Sequence, residues 1–348
     1  MKKFLSVLAL LLLIVQGSYA QKKFSAYGVA FYNQENLFDT CHDEGKNDYD
    51  FLPTGSYRWN GLKYKNKLHN MARALADLGT DVLPGVGCAV IGLSEVENNK
   101  VLDALVAQPE LAARGYKYCH VEGPDKRGID CALLYNPALF SVRDVKLVPY
   151  VYDLPKDTAR ATRGFLTVSG TMAGEHLTVV VCHWPSRGAS SHYREIAGTQ
   201  VKAVKDSLLR DDPNCKVMVM GDMNDDPTNK SMTDWLSCKP EIDQVGPDNM
   251  YNPWYNILAK EGRGTLAYGG SWNLFDQIVM TPNLLNKKGQ KDYSTLKFWK
   301  HHIFMRPYLI QNEGKYKGTP KRTTAGGVWL NGFSDHLPVV VYLLKEQK

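Results

Sequence analysis

The sequence predicts an α/β fold in one unit, and three observations predict it. Apolar runs of strand character alternate with stretches whose apolar residues recur at helical spacing. No internal repeat of roughly 20 to 50 residues, low-complexity tract or Pro/Ser-rich hinge interrupts the series. The chain has 348 residues, 44% hydrophobic and 22% charged, which suits one large globular domain or two small ones, and the unbroken series favours one.

Each element follows from its own pattern. The stretch AYGVAFYN (26–33) is strand-like, whereas Tyr64, Leu68, Met71, Ala72, Leu75 and Leu78 fall on one helical face. AVIGLSE (89–95) is a buried strand, NKVLDALVA (99–107) a helix, and DCALLYN (130–136) and LTVVVCHW (177–184) are strands. Tyr193, Ile196, Ala197, Val201, Val204 and Leu208 mark a second amphipathic helix, followed by the strand KVMVMGD (216–222). FDQIVM (275–280) and LPVVVYLL (337–344) complete the series.

The N-terminus, MKKFLSVLALLLLIVQGSYAQ, has two lysines, an apolar run from Phe4 to Val15 and small residues at Ser18 and Ala20. This is the pattern of a secretory signal peptide cleaved after Ala20. The expected organisation is therefore a signal peptide at 1–20, one domain at 21–348, and a secreted or periplasmic product. No other stretch is long and apolar enough to cross a membrane, and nothing implies an obligate protein partner. Loss of the two leader lysines lowers the net charge from +6 to +4. That permits an anionic substrate without the strongly basic balance of a dedicated nucleic-acid binder. The seven cysteines form no C-x-x-C pair and no zinc spacing. Cys119 and Cys131 are near enough for a hairpin staple, but burial as small hydrophobes is the favoured expectation.

Several buried strands end abruptly in polar groups: Asn36, Glu95 with Glu97 two residues on, His183, Asp222 with Asn224, Asp276, and Asp335 with His336. An isolated Asp or Asn at a strand end usually makes a turn, and a lone His is more often structural than catalytic. Together, at the ends of strands that an α/β sheet brings to one edge, they suggest a shared pocket.

Other chemistries fail on the same residues. Asp222, Asn224 and Asp226 match the first, third and fifth positions of a calcium loop, but Pro227 and Thr233 stand where Gly and Glu are needed. No G-x-S-x-G elbow or Walker loop occurs, and Gly85 and Gly87 lack the third glycine of a dinucleotide fingerprint. Cys182 and His183 are adjacent on a strand and so face opposite ways. Carboxylates, amides and two histidines without a nucleophile suit metal-assisted hydrolysis of a phosphate ester. A hard divalent ion takes oxygen ligands, a carboxylate accepts a proton from water, and imidazolium groups offset charge on the phosphoryl oxygens.

The motifs ENLFD, GLSEVEN, GIDCALLY, HWPSR, GDMNDDP, DQIVM and SDHLP, spread in order over residues 33–340, resemble those of the endonuclease/exonuclease/phosphatase superfamily. The resemblance implies a deoxyribonuclease I-like, four-layered sandwich of two packed mixed β-sheets flanked by helices. It implies Glu95 as principal metal ligand with Asn36 and Asp335 beside it, and a divalent ion, Mg2+ first, with Mn2+ or Ca2+ as alternatives; Glu97 falls outside the matching position and is expected only to support. Asp222 matches the residue that activates water or binds a second ion, and Asn224 the one that holds phosphate or nucleophile. His336, oriented by Asp276, matches the general acid/base or transition-state stabiliser. His183 matches the second histidine of the nuclease and sphingomyelinase branches, with Asp130 as its orienting carboxylate. Arg187 is a phosphate-contact candidate from its charge and place in HWPSR.

The expected activity is a secreted nuclease working by in-line attack of activated water. Phosphodiesterase or phosphatase action on lipid headgroups or inositol phosphates is the alternative. An inactive binding module is a third reading, against which the intact Glu95, His183, Asp222, Asn224 and His336 argue. The lysine- and aromatic-bearing runs 286–302 and 315–322 suit a nucleic-acid backbone and its bases, although such runs are usually solvated loops. The acid-rich 40–51 is expected to be a solvated loop too.

Overall fold

A computed structural model describes residues 22–151 and 162–347; the expected signal peptide lies outside the described residues. One sheet comprises β1 (Phe24–Leu37), β2 (Cys88–Val96), β3 (Lys117–His120), β4 (Asp130–Tyr135), β14 (Lys297–Ile303) and β17 (Val339–Glu346), ordered β14-β17-β1-β2-β4-β3. The other comprises β5 (Phe140–Val148), β6 (Phe165–Met172), β7 (Glu175–His183), β8 (Lys216–Asp222), β9 (Cys238–Lys239), β10 (Met250–Tyr251) and β13 (Asp276–Met280), ordered β5-β6-β7-β8-β13-β10-β9. Two hairpins, β11 (Leu266–Tyr268) with β12 (Ser271–Asn273) and β15 (Thr324–Ala325) with β16 (Val328–Trp329), stand apart from both sheets. The helices are α1 (Gly61–Asp77), α2 (Asn99–Val106), α3 (Pro109–Ala112), α4 (Ser191–Asp211) and α5 (Tyr255–Glu261).

The strand period of two assigns the layers. In β7, Val179 and Val181 join the large inter-sheet core, while Val180 and Cys182 point to the other face. In β8, Met218 and Met220 take the inner side, and Val217 and Val219 the outer. That outer face is covered by Ala197 and Val201 of α4. On the opposite side α1 buries Leu68, Met71, Ala72 and Leu75, each Leu or Met contributing about 1.5–3 kcal/mol. The result is the helix, sheet, sheet, helix sandwich.

Local chemistry starts the helices where the spacing predicts them. Asn60 accepts from the Lys63 N–H at 3.1 Å, Asn98 from Val101 at 3.1 Å and Ser190 from His192 at 3.3 Å, each satisfying a first-turn donor.

Between the sheets, Gly92 of β2 faces Met220 of β8. A Cβ there would collide with the Met220 sulfur and lie 3.1 Å from Phe31 Cδ2. Only hydrogen fits between the layers at this level.

All seven cysteines are free, six of them buried and Cys41 exposed. Across β3 and β4 the residue opposite Cys119 is Leu133, not Cys131. Cys131 is the diagonal neighbour, about 7–8 Å away, beyond disulfide reach.

Candidate functional site

Strand direction gathers the site at one rim. β1 runs parallel to β2, and β7 parallel to β8, so Asn33, Glu95, His183 and Asp222 all lie near C-terminal strand ends. β13 is antiparallel to β8, with Asp276 opposite Asp222. β17 is antiparallel to β1, which brings the preceding Asp335 and His336 to the same rim.

Both strands of the first sheet break register there, between Asn33 and Leu37 in β1 and around Glu95 in β2. Glu35, Asn36, Glu95 and Asn224 adopt positive φ of 46°, 57°, 60° and 49°. Such backbone costs of order 1–3 kcal/mol per residue and persists where surrounding contacts enforce it.

Asp222 is the hub. Its Oδ2 lies 3.7 Å from His183 Nε2 and 3.8 Å from His336 Nε2, and accepts from Asn33 Nδ2 at 3.0 Å. Its Oδ1 accepts from the Asn224 N–H at 2.9 Å. Glu95 Oε1 is 3.8 Å from His183 Nε2 and 3.3 Å from the same Asn33 nitrogen. His336 Nδ1 lies 2.7 Å from Asp276 Oδ2, and Thr265 Oγ1 donates to that oxygen. Asp222, His183, His336, Asn33 and Asp276 are all buried.

The two imidazoles are electrostatic opposites. Burial would depress His336, but Asp276, Asp222 and Asp335 together raise it well above the ordinary histidine range. For His183, burial and the cations Arg163 and Arg127 lower it well below that range, and His336 adds to the effect. Burial, with Asp276 and Glu95 nearby, pushes the Asp222 carboxyl up to about 7, against His336 and the Asn224 N–H. A charged His336 and a neutral His183 therefore flank Asp222.

Asn33 was not among the residues picked from the sequence, yet its amide spans the two carboxylates. Its Oδ1 accepts the Glu35 N–H at 2.8 Å, which leaves Nδ2 to face Glu95 and Asp222. Asn36, expected as a ligand, meets the site through its backbone, whose N–H donates to Glu95 Oε2 at 2.9 Å. The bulge rotates the chain between positions 33 and 36, so the amide side chain between the carboxylates belongs to Asn33.

Other expected residues are placed differently as well. Asp130 pairs with His120, Oδ2 to Nε2 at 3.2 Å, and accepts the Gly123 N–H at 3.1 Å, so it is not the orienting carboxylate of His183. Among the described residues His183 Nδ1 has no hydrogen-bond partner. Arg187 gives its guanidinium to protein acceptors: Asp226 at 2.8 Å, Asn229 and Asn273 at 3.0 Å, and the Asn224 carbonyl at 3.2 Å. With Phe275 4.4 Å below it, it braces the 224–229 loop, and these contacts occupy four of its five N–H donors, leaving one on Nη1. Glu97 accepts the Asp39 N–H at 2.7 Å and belongs to the acid-rich loop; burial, with Asp39, Asp43 and Asp48, pushes it up to about 8. Asp335 reaches the site at 3.9 Å from His336 Nε2, with Arg322 Nη2 on its other oxygen at 2.7 Å.

A divalent cation fits the donor set. Oxygen or nitrogen atoms of Glu95, His183 and Asp222 all lie within 4.8 Å of one another. Two carboxylates held together by one amide, one of them raised by burial, form a negative concavity that a hard cation complements. His120, Glu122 and Asp130 satisfy the same distance limit, but Lys46 already neutralises Glu122 at 2.9 Å and His120 takes Asp130.

The Endonuclease/Exonuclease/phosphatase family pattern matches residues 28–345. No curated protein sequence matches the chain. Solved structures do. An endonuclease/exonuclease/phosphatase family protein from Bacteroides thetaiotaomicron superposes with a TM-score of 0.55 at 16% identity, covering 93% of this chain and 97% of that one. The mannosyl-6-phosphatase of the same organism gives 0.54 at 17%, covering 91% and 99%. TDP2 of D. rerio, complexed with a single-strand DNA product, gives 0.51 at 14%, covering 92% and 99%.

Proposed function

The chain belongs to the endonuclease/exonuclease/phosphatase family, and on that premise we propose that it is a metal-dependent phosphodiesterase that acts on nucleic acid after export. The observation that carries the reading is the position of Asp222, between two imidazoles of opposite charge preference and beside Glu95.

Glu95, Asp222 and His183 would hold the cation, with Mg2+ expected and Mn2+ or Ca2+ as substitutes. Bound there, it would withdraw charge from the phosphoryl oxygens and orient the ester. Asp222 receives the proton of the attacking water, and Asn224 holds that water in place. The water attacks phosphorus in line with the leaving oxygen, without a covalent enzyme intermediate. His336, kept protonated by Asp276 and Asp222, offsets charge growing on the phosphoryl oxygens. His183, kept neutral, would offer its Nε2 lone pair to the cation and adds no positive charge of its own.

The mild positive charge of the mature chain permits an anionic polymer as substrate. Trp299, exposed on edge strand β14 with Lys300 4.4 Å above its ring, supports one. The DNA-bound fold relative motivates DNA in the first test, and the sugar-phosphatase relative motivates phosphomonoester controls.

The test is incubation of purified mature protein with Mg2+, Mn2+ or Ca2+ and plasmid DNA, RNA, bis-p-nitrophenyl phosphate, p-nitrophenyl phosphate, sphingomyelin or inositol phosphates. Diester cleavage that EDTA abolishes is the expected result. Turnover confined to lipid, inositol phosphate or monoester would replace nucleic acid as the substrate. Silence on every substrate would leave a binding module. Mass measurement of the exported protein checks the proposed removal of residues 1–20.

A further inference from the structure

One carbonyl serves two distant residues. Trp184 O accepts from Asn224 Nδ2 at 3.0 Å and from Arg163 Nη2 at 3.1 Å. Arg163 Nη1 donates to Asp125 Oδ2 at 2.9 Å, in an ion pair whose side chains are both buried. The reaction described above does not use Asp125, and uses Arg163 only as one of the cations that keep His183 neutral. A guanidinium presents its donors in a rigid planar fork, so it holds a carboxylate and a carbonyl at a fixed spacing that the freely rotating ammonium of a lysine does not impose. Both terminal nitrogens are committed to protein, and the residue is only 8% exposed, which makes it a poor direct substrate contact.

The consequence falls on Asn224. A backbone carbonyl only accepts, so the amide must turn its NH2 toward Trp184 and its Oδ1 away. The Asn224 backbone N–H is tied to Asp222 Oδ1 at 2.9 Å, and φ is +49°, so the side chain has a fixed origin as well as a fixed end. Among the described residues no donor meets Oδ1. Asn224 thus offers an acceptor next to Asp222, the polarity that holds a water O–H and not one that donates to a phosphoryl oxygen.

We infer that Arg163 is a positioning residue for Asn224, fixing the Trp184 carbonyl that selects which end of the amide faces the reacting water. Its kinetic consequence rests on the hydrolytic reading above; the amide orientation does not. Asp125 fixes the guanidinium, the guanidinium fixes the carbonyl, and the carbonyl fixes the amide.

Arg163→Met and Arg163→Lys are to be made in the mature chain, each with Asn224 intact and with Asn224→Ala. The first reading is the side-chain NH2 signals of Asn224 by ¹⁵N NMR, assigned from their loss in Asn224→Ala. They should be dispersed and slow to exchange in the wild type, collapse toward solvent values in Arg163→Met, and recover in part in Arg163→Lys. The second is turnover of bis-p-nitrophenyl phosphate: kcat should fall about tenfold in Arg163→Met with KM within about threefold, and by less than about twofold further once Asn224 is alanine. If Arg163→Met does not fold, Asp125→Asn/Arg163→Met removes both buried charges and gives the same readings. Unchanged Asn224 signals overturn the inference, as does a loss carried by KM or one that multiplies with Asn224→Ala. Absence of wild-type turnover would reject the hydrolytic reading, while the NMR reading still decides the orientation.

Discussion

His336 Nδ1 sits 2.7 Å from Asp276 Oδ2, with Thr265 Oγ1 donating to the same carboxylate oxygen. This contact places the ring's other nitrogen 3.8 Å from Asp222 and makes Asp276 the largest of the neighbours that raise His336. Asp276→Asn should lower kcat about a hundredfold with little change in KM, and His336→Ala should do the same. Because the pair acts as a unit, the double variant should be scarcely worse than either single one. Steady-state rates on a diester decide it: losses that multiply would mean that the two residues act separately.

Glu95 and Asn33 should govern metal affinity in different degrees. Removing the charge in Glu95→Gln should weaken Mn2+ binding, read by calorimetry, by at least about a hundredfold. Asn33→Ala frees two carboxylates from their shared donor and should weaken it by about tenfold. Glu97→Gln, altered two residues from Glu95 but in a different environment, should stay within about threefold. A Glu97 variant that binds as poorly as Glu95→Gln would move the cation toward the acid-rich loop.

Asp130 and His183 should separate stability from rate. Asp130→Asn disturbs the pairing with His120 and the Gly123 N–H, at an expected cost of about 1–3 kcal/mol in urea unfolding with nearly normal turnover per folded molecule. His183→Ala should lose about a hundredfold in rate. If Asp130→Asn instead lost turnover as severely as His183→Ala, the two residues would be coupled after all.

His301 should shape the acid limb of stability. It lies in β14 with Trp254 edge-on at 5.0 Å, and burial lowers it from 6.5 to about 4. Below pH 6.5 the unfolded chain takes up a proton that the folded chain refuses. Its contribution is therefore intact above 6.5, declines as pH falls to about 4, and is level below that, amounting to about 3 kcal/mol. His301→Gln should flatten the pH dependence of the urea midpoint between 6.5 and 4, and an unaltered slope would show that other groups set it.

The sequence reveals strand ends better than it reveals partners. Glu95, His183 and Asp222 are legible because each closes an apolar run, and Asp276 because it opens one on the antiparallel β13, which brings it to the same rim. Asn33 closes such a run too, but the motif ENLFD draws attention to Asn36 instead. Counting by twos fails across the bulge, where Glu35 and Asn36 take positive φ. That Asp130 does not orient His183 is hidden for another reason: β4 and β7 belong to different sheets, and no one-dimensional spacing tells which side chains meet across the gap, whereas its actual partner, His120, lies on the neighbouring strand β3. Arg187 is misleading because charge alone does not show whether a guanidinium is already taken. Strand β5, half exposed at a sheet edge, carries too weak an apolar signal to stand out.

Glycine 92 acts as a gauge block for the whole reaction centre. Three residues beyond it along β2 is Glu95, and two residues beyond its neighbour Met220 along β8 is Asp222, so the thickness of dry core at that level sets how far apart the two acids stand. Adding a single methyl there would pry the layers open like a shim in a vice, and a change that touches no polar atom would detune the grip on a cation.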